Sequence, residues 1–366
     1  MAILLLPEGE RVVRLPLLNL DKARELFARW FQSYYEARVS ERYSTLWQQN
    51  LSPILQELAP LAVDPVISAL AEANISRWII SANKVLHLFP LHACRLADGR
   101  FLADVVEVVY TASLSLLHRC ARRLRSQPVN SLIAADPTGD LLFANVEGRM
   151  AQRRWPHATL KRGLEIDREW LVHDAPSCHV FHYAGHAFFN LDDPLASALI
   201  LQDKDKPTKW LMLRDLFTGL HLDQCSLAII SGCESNQSFP DNSDELVGLT
   251  AGFLYAGATC VLSTLWAVND LSSALLMDKF LSLWPSEMSI AAALREAQRW
   301  LREDISTGRV LCDEIMPKFL ARVEVPEYRK KCAELAVQVA SVNLTTAPFA
   351  SPFHWAAMTV NGYGYK

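Results

Sequence analysis

No run of the sequence reaches the roughly 18 consecutive apolar residues that a membrane-spanning helix requires, and the short apolar start, MAILLL, meets Pro7 without a basic leader or cleavage pattern. None of the eight cysteines, at 94, 120, 178, 225, 233, 260, 312 and 332, forms a C-x-x-C pair. That removes the usual zinc and dithiol motifs, and a chain of 366 residues has no need of disulfide staples. A reducing cytoplasm is the expected location. No half of the chain is strongly basic and the net charge is −4, so no nucleic-acid partner is expected. There is no G-x-S-x-G elbow for a serine hydrolase, no H-E-x-x-H for a zinc peptidase and no G-x-x-x-x-G-K-[ST] loop for a nucleotide. Nor is there a repeat with a period of 20–50 residues.

What remains is an apolar chain, 51% hydrophobic, organised by short runs of about four residues. Trp78-Ile79-Ile80, Leu132-Ile133-Ala134-Ala135, Val180-Phe181-His182-Tyr183, Leu227-Ala228-Ile229-Ile230 and Cys260-Val261-Leu262 all lack alternation. Such runs suit strands buried on both faces, as in a parallel sheet. Amphipathic stretches between them, 113–125, 147–153, 167–173, 245–255, 271–283 and 290–304, predict helices. A last strand is expected over 356–360 and helical decoration over 306–343. The pattern is that of an α/β/α sandwich with a mostly parallel central sheet. Residues 1–75 read differently: a strand pair turning at Glu8-Gly9, a helix capped by Asp21 and running to Arg38, and a second helix over 46–58 that Pro60 and Pro65 end. We expect an N-terminal strand and helical extension over 1–75 and one α/β domain over 76–366. The aromatic stripe Phe27, Trp30, Phe31 and Tyr34 is read as packing surface.

Two predicted strands end in reactive residues. CHVFHY runs into Ala184-Gly185-His186-Ala187, and LAIIS runs into Gly232-Cys233-Glu234. Loops at the carboxyl edge of an open α/β sheet converge on one crevice, so a His and a Cys leaving neighbouring strands can face each other there. His186 precedes Cys233 by 47 residues, close to the roughly 50 of caspases. An imidazole beside a thiol takes its proton, holds the thiolate, and later protonates the leaving amine. The backbone N–H groups of Ala187 and Cys233 are candidate donors to the oxyanion, and Gly185 and Gly232 are expected to permit tight turns. His182, inside the apolar run, is read as a core hydrogen-bonding residue. A metal site from Cys178, His179, His182 and His186 is disfavoured, because successive strand residues point to opposite faces. No metal or organic cofactor is expected.

The residues also resemble the CHAT family, caspase-like domains related to caspases and separase and often found beside tetratricopeptide repeats. The resemblance covers residues 78–362 through IISANKVLHLFPLHAC, RFLAD, IAADPTGDLLFANVEGRM, VFHYAGHAFF, DDPLASALIL, LAIISGCESN, DELVGLTAGFLYAGATCVLSTLWAVND and SPFHWAAMTVNG, in that order. It implies a caspase-type fold, cysteine endopeptidase activity on a protein or peptide substrate through His186 and Cys233, and a thioester acyl-enzyme. Ala187 departs from the glycine the family usually shows after its histidine. The resemblance further implies that residues 264–266 pair with the substrate backbone, with Trp266 walling a side-chain pocket. A basic side chain before the cut would need a carboxylate; Asp270 is the first candidate and Glu234 the second. A regulatory partner carrying repeat modules is expected: either a separate protein supplies the trigger, or residues 21–58 dock onto one. The alternative reading is a caspase-like interaction module without catalysis.

Overall fold

The computed structural model describes residues 1–6, 9–40, 42–70, 75–123, 127–190, 193–203, 205–232, 239–240, 246–285 and 288–365. An antiparallel hairpin of β1 (Ala2–Leu6) and β2 (Gly9–Val13) opens the chain. There follow β3 (Arg77–Ile80), β4 (Glu107–Tyr110), β5 (Asn130–Ala135), β6 (His157–Arg162) and β7 (Val180–Ala184). Three two-residue strands, β8 (Ala187–Phe188), β9 (Ala198–Leu199) and β10 (Leu211–Met212), make a small antiparallel sheet beyond β7. The chain continues with β11 (Leu227–Ser231), the short pair β12 (Phe239–Pro240) and β13 (Leu246–Val247), β14 (Cys260–Thr264) and β15 (Met358–Gly362). Eight of these strands form the central sheet in the order β3-β4-β15-β14-β11-β7-β5-β6, and among the described residues its only antiparallel pairing is between β14 and β15.

Alternate residues of the apolar runs serve two cores. Ile133, Val180, Ile229 and Leu262 enter one cluster, whereas Leu132, Phe181, Ile230 and Val261 enter the other. Helices therefore cover both faces, as the unbroken runs predict. Helices Leu142–Gln152, Asp270–Leu283 and Ile290–Arg299 pack on the first face, and Leu213–Thr218 and Leu249–Ala256 on the second. β3 departs from the expectation: it is an edge strand whose Ile79 is 41% exposed, so this run alternates in burial instead of being covered on both sides. Among the described residues no helix is long and apolar enough to cross a membrane.

The N-terminal helices share the first core with the sheet. Helix Leu20–Arg38 buries Leu26, Trp30, Tyr34 and Ala37 at helical spacing. Its cap is Asn19, whose side chain accepts from Lys22 N at 2.8 Å; Asp21, the expected cap, sits in the first turn. Trp30 and Tyr34 meet Trp47 of helix Tyr43–Leu58 at ring separations of 4.9 and 5.1 Å. Pro60 and Pro65 do not end the helical run. The backbone widens to a π-type turn over Ala59–Val63 and continues as helix Asp64–Ala69, each proline falling near the start of its segment, where its missing N–H costs least. The inner half of the aromatic stripe is thus closed to any docking partner.

Three desolvated imidazoles, two of them buried and one half-buried, tie the fold to pH. Burial lowers the pKa of His87 to about 4, of His92 to about 3 with the Arg302 charge adding, and of His354 to about 4. The unfolded chain, with ordinary values near 6.5, binds more protons between those limits. Stability is therefore complete above about pH 6.5 and falls as pH drops through the window, each group contributing a slope of up to ~1.4 kcal/mol per pH unit. The melting temperature should decline steadily from pH 7 to pH 5, above the range where ordinary carboxylates titrate; a flat profile there would contradict neutral desolvated imidazoles.

Candidate active site

The registers of β7 and β11 set the site. Tyr183 lies opposite Ile230 and Ala184 opposite Ser231, so both strands end at one level, and Gly185 N donates to Ser231 O at 3.2 Å. Neither Gly185 nor Gly232 has a positive φ. Their observed contribution is close approach: a Cβ on Gly232 would lie 2.9 Å from Gly185 O, and one on Gly185 would lie 2.6 Å from the Tyr183 hydroxyl. The residues that follow the two strands, Gly185 and Gly232, thus approach each other closely at the sheet edge.

His186 leaves β7 partly exposed, with Nε2 3.1 Å from Asp140 Oδ1. Its backbone carbonyl accepts from Ile200 N at 2.9 Å and from the Tyr183 hydroxyl at 2.6 Å. The pairing of β8 with β9 makes His186 and Ile200 a hydrogen-bonded pair, so the Ala187 N–H, one position on, points away from β9. It lies on the Gly232 side, 3.4 Å from where a Cβ on that residue would be.

Asp140 is held by the loop after β5. Asp136, 4% exposed and at φ +51°, receives the Asp140 and Leu141 N–H groups on Oδ1 at 2.9 Å each and the Asn145 amide on Oδ2. Its own N–H donates to Ala184 O at 2.8 Å, tying the loop to the end of β7. Burial pushes the Asp136 carboxyl pKa up, and the surrounding backbone N–H groups pull against that shift.

Beneath the two loops lies a buried polar set. Glu147 of helix Leu142–Gln152, 6% exposed, meets His182 Nε2 at 2.6 Å through one oxygen and accepts from Ser231 Oγ at 3.0 Å through the other. His182 is fully buried, as its place in the apolar run predicts. His179 is drawn elsewhere, its Nδ1 accepting from Val129 N at 3.3 Å. Among the described residues no group of three or more His, Cys, Asp or Glu could hold a metal ion.

A cleft of about 370 Å³ opens over this floor, with Asp140, His186, Gly232 and Asp270 among its walls and Glu334 and Gln338 facing in from helix Pro326–Val342. Asp270 stands in the first turn of helix Asp270–Leu283. The walls desolvate its carboxyl and raise its pKa, while a positive charge on His186 would favour its ionised form. Cys233 and Glu234 lie outside the described residues; Gly232, which precedes them, forms part of the cleft.

Trp266 is a correction. It is fully buried, packed at ring separations of 6.0 and 6.1 Å against Trp30 and Trp47, with Nε1 donating to Phe353 O at 3.1 Å. It does not wall the cleft. Substrate pairing along 264–266 is displaced with it: β14 has a neighbour on each edge, Leu265 N donates to Ala357 O at 2.9 Å, and the Thr264 hydroxyl donates to Gly232 O. Thr264 itself lines the cleft, and the segment reaches it again at Val268 and Asp270. Asp136, Asp140, Glu147 and the helix Pro326–Val342 wall were not singled out from sequence; the signal for the first two was the D-P-T-G-D that follows a buried strand.

The CHAT domain model matches residues 41–363. No curated protein matches the chain. Among solved structures, the Arg-specific cysteine proteinase gingipain R aligns with TM-score 0.51 at 8% identity, over 84% of this chain and 68% of its own. Saccharomyces cerevisiae separase, in its complex with securin, aligns with TM-score 0.47 at 15% identity over 96% of this chain but 23% of its own. Porphyromonas gingivalis RgpB with its pro-domain aligns with TM-score 0.45 at 8% identity, over 95% of this chain and 78% of its own. At these identities the likeness is one of fold. The chain belongs to the CHAT domain family, and its α/β/α sandwich has the caspase-like fold.

Proposed function

We propose that the protein is a cysteine endopeptidase with Cys233 as nucleophile and His186 as general base. The observation that carries this reading is the pairing of His186 with Asp140 in the cleft that also holds Gly232, the residue before Cys233. A carboxylate on one ring nitrogen fixes the imidazole and stabilises its cation, leaving the other nitrogen to take the thiol proton. The Cys233 thiolate attacks the peptide carbonyl and forms the C–S bond, with Ala187 N–H and Cys233 N–H as donors to the oxyanion. The C–N bond breaks as His186 returns the proton to the leaving amine. Water then gives a proton to His186 and cleaves the thioester, releasing the acid and the thiol.

The side chain before the cut is basic in this proposal. Among the described residues, Asp270, Asp140, Glu147 and Glu334 line the cleft against one lysine, Lys331, and the gingipain of similar fold is Arg specific. Asp270 is an exposed residue whose carboxyl pKa is raised by its surroundings and lowered by His186, and it is the carboxylate proposed to meet the guanidinium. Asp270→Asn should lower kcat/KM for arginine peptides by about 10–100-fold, with a smaller effect on peptides cut after a neutral residue. Equal loss on both would remove Asp270 from recognition and leave Glu234 to be tested. The reading as a whole is tested by fluorogenic peptides and an alkylating thiol probe on wild type and Cys233→Ala under reducing conditions. Turnover and labelling of Cys233 are expected. A folded wild type that neither turns over nor labels would support the non-catalytic interaction module instead.

A further inference from the structure

The segment that enters the cleft at Val268 and Asp270 is held from outside the α/β sandwich. Working back along it, Ala267 is 6% exposed and its N–H donates to the hydroxyl of Tyr34 at 3.3 Å. Tyr34 is itself 3% exposed and belongs to helix Leu20–Arg38, more than 200 residues earlier in the chain. Trp266, one residue before, is enclosed by Trp30 of that same helix and by Trp47 of the next. The helix therefore grips two consecutive residues, one by ring packing and one by a directed hydrogen bond. Helix Leu20–Arg38 precedes the residues matched by the family model.

Packing and the hydrogen bond do different things. The tryptophan cage supplies apolar burial, which is non-directional and tolerates small shifts. The bond to Ala267 N–H fixes the orientation of one peptide plane, and the next residue, Val268, already lines the cleft. Removing the hydroxyl takes away this directed bond and frees the peptide plane to reorient, carrying Val268 and Asp270 with it. We infer that Tyr34 is a positioning residue for the substrate cleft, holding through Ala267 the segment that presents Val268 and Asp270 to the bound peptide. This rests on the cysteine peptidase reading for the identity of the ligand, an extended peptide with a basic residue.

Tyr34→Phe removes the hydroxyl and keeps the ring, so the aromatic cluster and the fold are retained; Tyr35→Phe, on the exposed side of the same helix, is the control. Two measurements decide. Hydrogen–deuterium exchange read by mass spectrometry should quicken several-fold in peptides spanning residues 265–268 of Tyr34→Phe, with the central strands and the melting temperature unchanged. Fluorescence anisotropy of a labelled arginine-containing peptide, in a Cys233→Ala background that prevents turnover, should show Kd rising about fivefold on adding Tyr34→Phe. Tyr35→Phe should move neither. In active protein the same change should appear in KM, with kcat and the rate of Cys233 labelling by a small alkylating probe held. Exchange at 265–268 equal to wild type would overturn the inference, and so would faster exchange with an unchanged Kd. A Cys233→Ala protein that binds no peptide would instead overturn the reading of the cleft, an outcome visible before Tyr34 is touched.

Discussion

Replacing His186 with Ala is expected to lower kcat/KM for peptide cleavage by about 1,000-fold or more, and Cys233→Ala by at least as much. In the proposed mechanism the imidazole takes a proton from the thiol and returns it to the leaving amine. On that reading the two residues act as a unit, so the double variant should be scarcely worse than either single one. Asp140→Asn separates chemistry from geometry. Asn keeps the shape and still offers an oxygen to His186 Nε2, but it removes the charge that favours an imidazolium. A loss of about 10–100-fold in kcat is expected, with KM little changed. If Asp140→Asn is as active as wild type, the ring owes its placement to its backbone alone. That alternative has substance, since the His186 carbonyl is already fixed by Tyr183 and Ile200.

The parts of this site that were legible in sequence are those set by strand periodicity and by position along the chain. Apolar runs without alternation place β5, β7, β11 and β14 in the sheet interior, and the residues following β7 and β11 are then forced to its edge. His186 could be located on that ground alone. His182 could be assigned to the core because it sits inside the run. Trp266 shows where this kind of inference stops. A large aromatic two residues past a strand can wall a pocket or anchor a core, and the choice depends on what stands opposite. Here Trp30 and Trp47, brought from the chain's beginning, close over it. Nothing local to Trp266 encodes that contact. The prolines misled for a related reason. Pro60 and Pro65 fall where a widened turn absorbs the lost hydrogen bonds, and that turn is stabilised by the packing of Ala59, Leu61 and Val63.

The acidic residues around the histidine were missed because a carboxylate on a loop is ordinarily solvated. Asp140 is exposed in just this way, and only the fold of 136–141 turns it toward the ring. Asp136 carries that fold. It is a non-glycine residue at positive φ, a conformation that costs energy and is kept where surrounding bonds over-determine it. Three donors on its carboxylate and one bond from its N–H to Ala184 provide that constraint. The sequence of bonds runs from the end of β7, through Asp136, to Asp140, and back to His186, which leaves β7 itself. One strand end thus positions both His186, the proposed base, and the carboxylate beside it.

Glu147 presents the sharpest test of the buried floor, because both of its oxygens are committed, one to His182 and one to Ser231. Glu147→Ala leaves His182 Nε2 fully buried without its carboxylate and Ser231 Oγ without its acceptor. Uncompensated burial of this kind costs about 3–5 kcal/mol, so a fall of several degrees in melting temperature is expected. Replacing both members of the pair by apolar residues should behave differently. In Glu147→Leu/His182→Leu no polar ring remains to be desolvated, and much of the lost stability should return, giving a double-mutant coupling of at least 1 kcal/mol. Activity should not return with it. Ser231 precedes Gly232 and Cys233, and its hydroxyl still lacks the oxygen that anchors it in the native protein. The stable double variant should therefore remain impaired in kcat, read on the same peptides as the His186 series. Full recovery of both stability and kcat would mean that the floor is packing alone, and a Glu147→Ala protein that melts like wild type would remove it from the account of the fold as well.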